Sequence, residues 1–191
     1  RTDLHENNIH FSKRVFDFIK AKAPVHVMIG DFTGFFDNLD HVYLKQQWCS
    51  LLGVDRLPAD HFAVFKNITS YSKVDLTELL RLNGLEDTKS GRKKLNGMAR
   101  VLTPAQLKEN RSLIQKHTEP YGIPQGSPIS GILANIYMLE VDKQINDTVH
   151  ELGGMYIRYS DDFMIILPDA PEIDAAKELK RVAEMLKQAP R

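Results

Sequence analysis

Residues 155–167 read Met155-Tyr156-Ile157-Arg158-Tyr159-Ser160-Asp161-Asp162-Phe163-Met164-Ile165-Ile166-Leu167, which is two β-rich runs around a short acidic turn. Strand-forming residues on both sides of a tight polar turn predict a β-hairpin. Gly153-Gly154 precedes the first run and Pro168 follows the second, so both predicted strands have clear limits. We expect this hairpin to pair with a strand from a distant part of the chain.

That third strand is predicted where Val25, Val27 and Ile29 alternate with polar or flexible residues and run directly into Gly30-Asp31. Helical spacing and capping residues predict helices over 6–22, 40–52, 58–71, 75–82, 103–117, 127–146 and 173–187. The basic, glycine-containing segment 88–103 is predicted to be a loop. Strands covered on one face by helices give an α+β fold.

Composition excludes several classes of protein. The 191 residues include 42% hydrophobic residues and a single cysteine, Cys49, so disordered, collagen-like and disulfide-rich chains are excluded. No apolar run approaches the roughly 20 residues that span a bilayer, and residues 1–4 lack a signal pattern. We therefore predict a cytoplasmic protein with no membrane partner.

The net charge of zero arises from cancellation, with 25 basic and 25 acidic residues in all. Between Thr88 and His117 eight basic residues face one acid, Glu109, and the rest of the chain is correspondingly acidic. Near-neutrality argues against a protein that coats nucleic acid, whereas a local basic segment is compatible with one that holds it at one place.

Three carboxylates stand out by position: Asp31 at a strand end, and Asp161 and Asp162 in the hairpin turn. Adjacent carboxylates repel one another, and a divalent cation supplies the compensating charge. Two Mg²⁺ ions about 4 Å apart can activate a 3′ hydroxyl and stabilise a leaving pyrophosphate. Taken alone, each aspartate is explained equally well as a residue that ends a strand or forms a turn.

The chain resembles reverse transcriptases from roughly residue 27 to residue 167, with motifs A, B and C in the family's order. The matching segments are Asp31-Phe32-Thr33-Gly34-Phe35-Phe36-Asp37-Asn38-Leu39-Asp40-His41, Gly122-Ile123-Pro124-Gln125-Gly126-Ser127-Pro128-Ile129-Ser130 and Arg158-Tyr159-Ser160-Asp161-Asp162-Phe163. In style they are most similar to the bacterial group of group II intron, retron and Abi-like phage-defence enzymes. The resemblance implies a right-hand polymerase palm, an antiparallel sheet with helices on one face, partial fingers and no complete thumb.

The resemblance also implies roles for individual residues. Catalysis is assigned to Asp31, Asp161 and Asp162, which with the backbone carbonyl of Phe32 would hold two Mg²⁺ ions, with Mn²⁺ as a substitute. The incoming dNTP would contact five residues of motifs A and B: Gly34, Phe35, Phe36, Gln125 and Gly126. Tyr159 and Ser160 would lie near the primer and template.

Two residues of these motifs have a second interpretation. Phe36 matches the steric-gate position that excludes a 2′ hydroxyl, but together with Phe35 it could equally fill the core. Arg158 could face a phosphate or pair with an acid, and we favour pairing.

The resemblance divides the chain into three regions. Residues 1–24 form a helix leading into the palm as a remnant of the fingers, 25–168 form the palm with a basic insertion around 84–118, and 169–191 form a palm helix that stops before motif D and the thumb. The family's basic fingers motifs have no convincing equivalent before Asp31. We therefore expect the rest of the polymerase, both fingers and thumb, to lie outside this chain.

The function implied is that of an RNA-directed DNA polymerase, a nucleotidyltransferase that adds dNTPs to a 3′ end. Its partners would be an RNA template and a DNA or RNA primer, or a protein primer, and an oligomer is left open. One alternative is template-independent or protein-primed synthesis of the Abi-like kind, and another is a non-catalytic RNA-binding maturase or scaffold. Retrohoming, retron synthesis and antiviral defence share these motifs, so the sequence does not choose among them.

Overall fold

The computed structural model describes residues 8–187, which divide into two compact units. The first unit contains the residues up to Leu57 together with those from Tyr121 onwards, and the second is Pro58–Pro120. The basic segment 84–118 lies within the second unit.

The strands in chain order are β1 Val25–Asp31, β2 Ser72–Lys73, β3 Gln115–Lys116, β4 Met155–Tyr159 and β5 Asp162–Pro168. The α-helices are α1 Asn8–Lys22, α2 His41–Leu52, α3 Ala59–Thr69, α4 Leu76–Leu82, α5 Lys89–Asn96, α6 Pro104–Glu109, α7 Ser130–Glu151 and α8 Ala175–Lys187. Two short 3₁₀ helices lie at Phe36–Asn38 and Arg111–Leu113.

The first unit is built on an antiparallel sheet with the strand order β1-β5-β4. β4 and β5 form the predicted hairpin, and β1 pairs with β5 along its whole length, from Val25 opposite Pro168 to Asp31 opposite Asp162. The prediction of an α+β fold with an antiparallel sheet is therefore confirmed.

Helices α7 and α8 pack on one face of this sheet and form the core with it. The most deeply buried side chains have no measurable exposure and come from three elements: Leu133, Ile145 and Val149 of α7, Ile165 and Leu167 of β5, and Val182 of α8. On β1, in contrast, Val27 and Ile29 are 44% and 69% exposed. The side chain of Asp31 follows the same alternation as these two, so it belongs to the face away from Ile165 and Leu167.

The second unit consists of α3 to α6 and the two-stranded ribbon of β2 and β3. Leu80 and Leu95 are buried within it. The rings of Tyr71 and His117 stack at 4.5 Å next to the ribbon, and the His117 N–H donates to the Tyr71 carbonyl at 2.9 Å.

Three predicted elements differ from those observed. Segment 88–103 was predicted to be a loop, but residues 89–96 form α5, because Thr88 caps the helix and Leu95 buries its apolar side. The helix predicted over 103–117 ends at Glu109, where Asn110 caps it and a 3₁₀ turn follows. The helix expected to start at Ser127 begins at Ser130 and continues to Glu151. Ile132, which helical spacing with Ile129 and Ile136 would place on an apolar face, is 59% exposed.

No helix among residues 8–187 is long and apolar enough to cross a bilayer.

Candidate active site

Motifs A and C meet at the ends of β1 and β5. Asp31 and Asp162 are direct cross-strand partners, which places their Cα atoms about 5 Å apart with side chains on the same face. Both residues are exposed, whereas Asp161 is half-buried in the hairpin turn. Beyond the last pair, the Phe32 N–H donates to the Asp161 carbonyl at 3.0 Å. The backbone therefore brings the three predicted catalytic residues to one edge of the sheet.

An aromatic cluster lies beneath these carboxylates. The ring of Phe32 packs 5.5 Å from the rings of Phe163 and Phe35. The Phe163 ring lies over Gly30, where an added Cβ would come within 2.5 Å of Cζ. Glycine before Asp31 thus permits a contact between β1 and β5 that a side chain would prevent.

The hairpin turn has an unusual backbone conformation at Ser160. Its φ is 61°, the one positive value found for a non-glycine residue among residues 8–187. A positive φ at the first position alone of a two-residue loop is the feature of a type II′ turn. This turn type matches the twist of paired strands. Asp161 and Asp162 are therefore presented by a tight turn rather than a flexible loop.

Arg158 supports this turn from the helix-covered side of the sheet. Its side chain is 6% exposed, and it pairs with Asp142 of α7 through Nη2 at 2.6 Å and through Nε at 2.9 Å. Nη1 donates to the Ser160 carbonyl at 2.6 Å, and Nη2 also donates to Oδ1 of Asn135 at 3.1 Å. The expectation that Arg158 pairs with an acid agrees with this contact.

Tyr156 completes the same network, since its hydroxyl donates to Oδ1 of Asp142 at 2.9 Å. Burial, followed by the negative charge of Asp142, raises the pKa of Tyr156 well above its ordinary value. Sequence reasoning missed Asp142, although a signal existed. It lies between Met138 and Ile145 at helical spacing, so an acid occupies the core-facing side of α7.

The loop after β1 is closed by its own hydrogen bonds. The Phe35 N–H donates to the Phe32 carbonyl at 3.1 Å, and Gly34 adopts a φ of 62° between them. The Phe32 carbonyl, predicted as a metal ligand, thus already accepts one hydrogen bond, and its second lone pair remains for a metal ion. Phe35 is buried and Phe36 half-buried, so Phe35 fills the core and Phe36 does so only in part.

Motif B is fastened to motif A by backbone contacts. The Gly122 N–H donates to the Leu39 carbonyl at 2.9 Å, and the Ile123 N–H donates to the Phe36 carbonyl at 2.8 Å. Gly122 has a φ of 88°, and a Cβ there would lie 2.9 Å from the Asp37 carbonyl oxygen. Only glycine fits both this conformation and this close approach.

Gln125 and Gly126 lie beyond this junction, exposed in the turn that leads to α7. Ser130 Oγ donates to the Pro124 carbonyl at 2.6 Å and closes that turn. Tyr159 is 55% exposed at the end of β4. The structure thus brings motifs A, B and C into one unit. Of the predicted nucleotide and primer residues, Gly34, Gln125, Gly126 and Tyr159 are exposed, Phe36 and Ser160 are half-buried, and Phe35 is buried.

Asp40 and Tyr137 form a second link that the sequence did not reveal. Asp40 caps α2 by accepting from the Tyr43 N–H at 2.7 Å, and its own N–H donates to the Tyr137 hydroxyl at 3.1 Å. Burial raises the pKa of Tyr137 to about 12. The loop of motif A is therefore tied to α7 through the neutral phenol.

The donor set fits a hard divalent cation that is shared with a substrate. No group of three His, Cys, Asp or Glu side chains within the described residues is arranged to hold a metal ion. Mg²⁺ commonly uses one or two protein carboxylates, and water and substrate phosphates complete its coordination. Asp31 and Asp162, placed side by side, offer that partial set.

A cavity of about 460 Å³ opens next to motif A. Asp31, Thr33 and Asn38 supply polar groups, and most of its lining is apolar, including Phe163 and Leu186. Of the residues predicted to contact the nucleotide, Phe35 lines the cavity, whereas Phe36, Gln125 and Gly126 do not, so the cavity overlaps the predicted nucleotide site only in part.

The sequence matches the family model described as reverse transcriptase (RNA-dependent DNA polymerase) over residues 59–190. The chain belongs to the reverse transcriptase family. The matched range includes motifs B and C, and motif A lies before it. No curated protein matches the chain closely enough to count as a relative.

Solved structures of reverse transcriptases support the palm-like fold. The chain is similar to apo telomerase of Candida tropicalis truncated from its C-terminal domain, with a TM-score of 0.51 and 17% identity over 97% of this chain and 33% of that one. It is also similar to telomerase of Candida albicans in complex with the TWJ fragment of telomeric RNA, with a TM-score of 0.52 and 15% identity over 97% of this chain and 29% of that one. The chain spans about a third of the length of these proteins.

Proposed function

We propose that this chain is the palm of an RNA-directed DNA polymerase, which adds dNTPs to the 3′ end of a primer on an RNA template. The observation that carries the proposal is the convergence of motifs A, B and C. The chain pairs Asp31 with Asp162, bonds Phe32 to Asp161 and fastens Gly122 to Leu39, so residues from three distant segments share one surface. Membership of the reverse transcriptase (RNA-dependent DNA polymerase) family supports RNA as the template.

In this proposal Asp31, Asp161 and Asp162 hold divalent cations, Mg²⁺ or Mn²⁺ in its place, together with the triphosphate. When bound, such ions lower the pKa of the primer hydroxyl and neutralise charge on the leaving pyrophosphate. The protein's part is to fix the carboxylates. The hairpin turn, the Phe32 contact and the Arg158 network limit their movement, and so reduce the reorganisation that the reaction needs.

The remaining predicted residues have roles at the nucleotide and the primer. Phe36, fixed at the motif A and B junction, would lie under the sugar and exclude a 2′ hydroxyl. Gln125 and Gly126 would contact the nucleotide from the turn of motif B, and Tyr159 and Ser160 would contact the primer end. The bacterial origin and a role in retrohoming, retron synthesis or phage defence remain predictions from motif style.

The test is Mg²⁺-dependent incorporation of labelled dNTP on an RNA template with an annealed primer, using the full-length protein. Asp161→Asn is expected to abolish incorporation while the circular dichroism spectrum and the unfolding midpoint stay unchanged. Asp147→Asn is the matched control, because Asp147 is exposed on α7 away from the motifs and loses the same charge. Full activity in Asp161→Asn would overturn the proposal.

A second candidate function is a non-catalytic RNA-binding module. The observation that favours it is the run of eight basic residues against one acid between Thr88 and His117, a composition suited to holding RNA. Incorporation by the wild-type chain that depends on Mg²⁺ and is lost in Asp161→Asn would exclude this candidate. RNA binding that is identical in both proteins, without incorporation in either, would establish it.

A further inference from the structure

The second unit carries a concentration of positive charge that its own acids do not neutralise. Eight exposed basic side chains lie between Thr88 and His117, and one acid, Glu109, lies among them. Arg92 pairs with Asp87 at 2.5 Å. The other seven have no acidic partner within the described residues: Lys89, Lys93, Lys94, Arg100, Lys108, Arg111 and Lys116.

Helix α5 carries four of the eight cations, and two of them, Lys89 and Lys93, lie on its solvent side. Gly91 and Leu95 are buried one turn apart and define the side that faces the rest of the unit. Lys89 and Lys93 are also one turn apart, and at 100° per residue they project from the opposite side, about 6 Å apart along the axis. Arg92 and Lys94 flank them, so the solvent side of α5 is entirely basic or polar.

The helix that carries these cations is firmly anchored. Thr88 Oγ1 accepts from the Gly91 N–H at 3.1 Å and caps the first turn. Gly91 lies so close to the Glu86 carbonyl oxygen that no Cβ could be accommodated there. Because the helix is held in place, the spacing of Lys89 and Lys93 is set before any partner binds, and little backbone order is lost on binding.

The chemistry of the segment favours phosphate over bases. No Phe, Tyr, Trp or His occurs from Thr88 to Lys116, so this part of the segment, which includes α5, has none of the aromatic side chains on which bases stack. Lysine is a flexible point charge suited to phosphate, and it lacks the fixed fork that reads a base edge.

We propose that the solvent side of α5, formed by Lys89 and Lys93 and flanked by Lys94, binds the phosphate backbone of a nucleic acid without reading its sequence. The proposal rests on the proposed function only for the choice of RNA as the polymer. Single strands and duplexes share the phosphate chemistry, and the salt dependence of binding distinguishes them. An acidic protein is the competing partner, and the same experiment decides against one of the two.

The experiment measures fluorescence anisotropy of a labelled RNA, as a single strand and as a duplex with DNA, over a series of salt concentrations. The full-length protein is used without Mg²⁺ or dNTP. We expect Lys89→Gln with Lys93→Gln to weaken binding of all sequences alike. The slope of log K against log[salt] should become shallower by about 1.4 for a single strand or about 1.8 for a duplex.

The matched control is Lys66→Gln with Lys73→Gln, which removes the same charge from exposed residues of the same unit that have no acidic partner. Equal effects of the two double variants would mean that only net charge matters and would overturn the proposal. An unchanged slope in Lys89→Gln/Lys93→Gln, or tighter binding of polyglutamate than of RNA, would also overturn it.

The wild-type full-length protein separates this proposal from the polymerase assignment, because RNA binding without Mg²⁺ or dNTP and incorporation with both are measured on the same protein. A full-length protein that binds RNA through α5 but incorporates no dNTP would support the surface while overturning the polymerase.

Discussion

The Phe32 N–H donates a hydrogen bond to the Asp161 carbonyl oxygen at 3.0 Å, one step beyond the last paired residues of β1 and β5. This bond joins motif A to motif C through backbone atoms alone. Carboxylates that lie together repel one another and would separate the strand ends. A backbone bond at this position resists that separation whichever side chains are ionised.

The first prediction concerns Gly30, which lies under the ring of Phe163. Gly30→Ala would place a Cβ 2.5 Å from Cζ, so the ring or the strand must shift. We expect the free energy of unfolding to fall by about 1–3 kcal/mol in urea titrations. Mg²⁺-dependent incorporation of dNTP should fall as well, because Asp31 follows Gly30 directly in the chain.

Gly131→Ala is the control for that change. Gly131 lies near the start of α7 with no atom within 4 Å of an added Cβ. Alanine there should leave the protein unchanged or stabilise it by up to about 1 kcal/mol. Equal loss of stability in both variants would show that the Phe163 contact does not explain the glycine.

The second prediction concerns the buried pair of Arg158 and Asp142. Arg158→Ala leaves the Ser160 carbonyl without its side-chain donor and Asp142 without its cation, with only the Tyr156 hydroxyl still donating to Asp142, and should cost about 3 kcal/mol of unfolding free energy. Arg158→Lys keeps the charge but cannot reproduce the two-atom contact, so its loss should be intermediate. Because the turn carrying Asp161 loses its support, half-maximal incorporation should need more Mg²⁺ in both variants.

Arg181→Ala tests whether any arginine pair would have this effect. Its partner Glu178 lies on the same helix, and the Arg181 side chain is 54% exposed. Loss of an exposed pair should cost less than about 1 kcal/mol and should leave the Mg²⁺ requirement unaltered. If Arg158→Lys destabilises the protein without changing that requirement, Arg158 only holds the fold.

The third prediction concerns the positive φ of Ser160. Ser160→Gly should stabilise the protein by up to about 1 kcal/mol, because glycine has no Cβ penalty at a φ of 61°. Ser160→Ala should leave the stability nearly unchanged, since alanine has the same Cβ as serine and the same steric penalty at this φ. Thermal unfolding of the three proteins measures the order, and a less stable Ser160→Gly would contradict the assigned turn.

The fourth prediction concerns Phe36 as a steric gate. Phe36→Ala should raise incorporation of ribonucleotides relative to deoxynucleotides by about tenfold or more, because the smaller side chain leaves room for a 2′ hydroxyl. Phe35→Leu is the comparison, since Phe35 is buried and should affect stability without altering selectivity. Equal loss of both nucleotides in Phe36→Ala would identify Phe36 as a core residue instead.

The fifth prediction concerns pH and Tyr137. Its pKa is 10.0 in the unfolded chain and about 12 in the folded protein because of burial. A raised pKa stabilises the fold fully below pH 10, and this stabilisation is lost as the pH rises toward 12, by up to about 2 kcal/mol. Urea unfolding on both sides of pH 10 should show a steeper decline in wild type than in Tyr137→Phe. The shift of Tyr156 in the same direction leaves a residual slope in the variant.

The strands and their arrangement were predictable because their signals are local or depend on a strict pattern. Tyr159 and Asp162 flank a two-residue turn, and β-rich runs on both sides leave one pairing register. Asp31 ends a strand in a sequence that resembles motif A, which indicated its partner in motif C. The cap at Asp40 was likewise visible in the sequence.

Other features depend on contacts that no local pattern encodes. Asp142 is the partner of Arg158 because α7 packs on the sheet at this position. The sequence indicated that Arg158 pairs with an acid but not which acid. Helix α5 was missed because its glycine and four cations suggest a loop, whereas the buried Leu95 and the close approach of Gly91 to Glu86 stabilise it. The exposure of Ile132 is set by what packs against α7, not by helical spacing.

The order of strands in the sheet has a consequence for how the chain folds. The hairpin of β4 and β5 is local in sequence and can form early. β1, in contrast, is distant from β5 in the sequence and must pair with it across that separation. The pairing of β1 with β5 closes a long loop. The chain therefore loses conformational entropy before the contacts between β1 and β5 are gained. Asp31 therefore reaches Asp162 only when the slowest pairing is complete, and a partly folded chain brings together only Asp161 and Asp162, two of the three carboxylates that the proposed reaction needs.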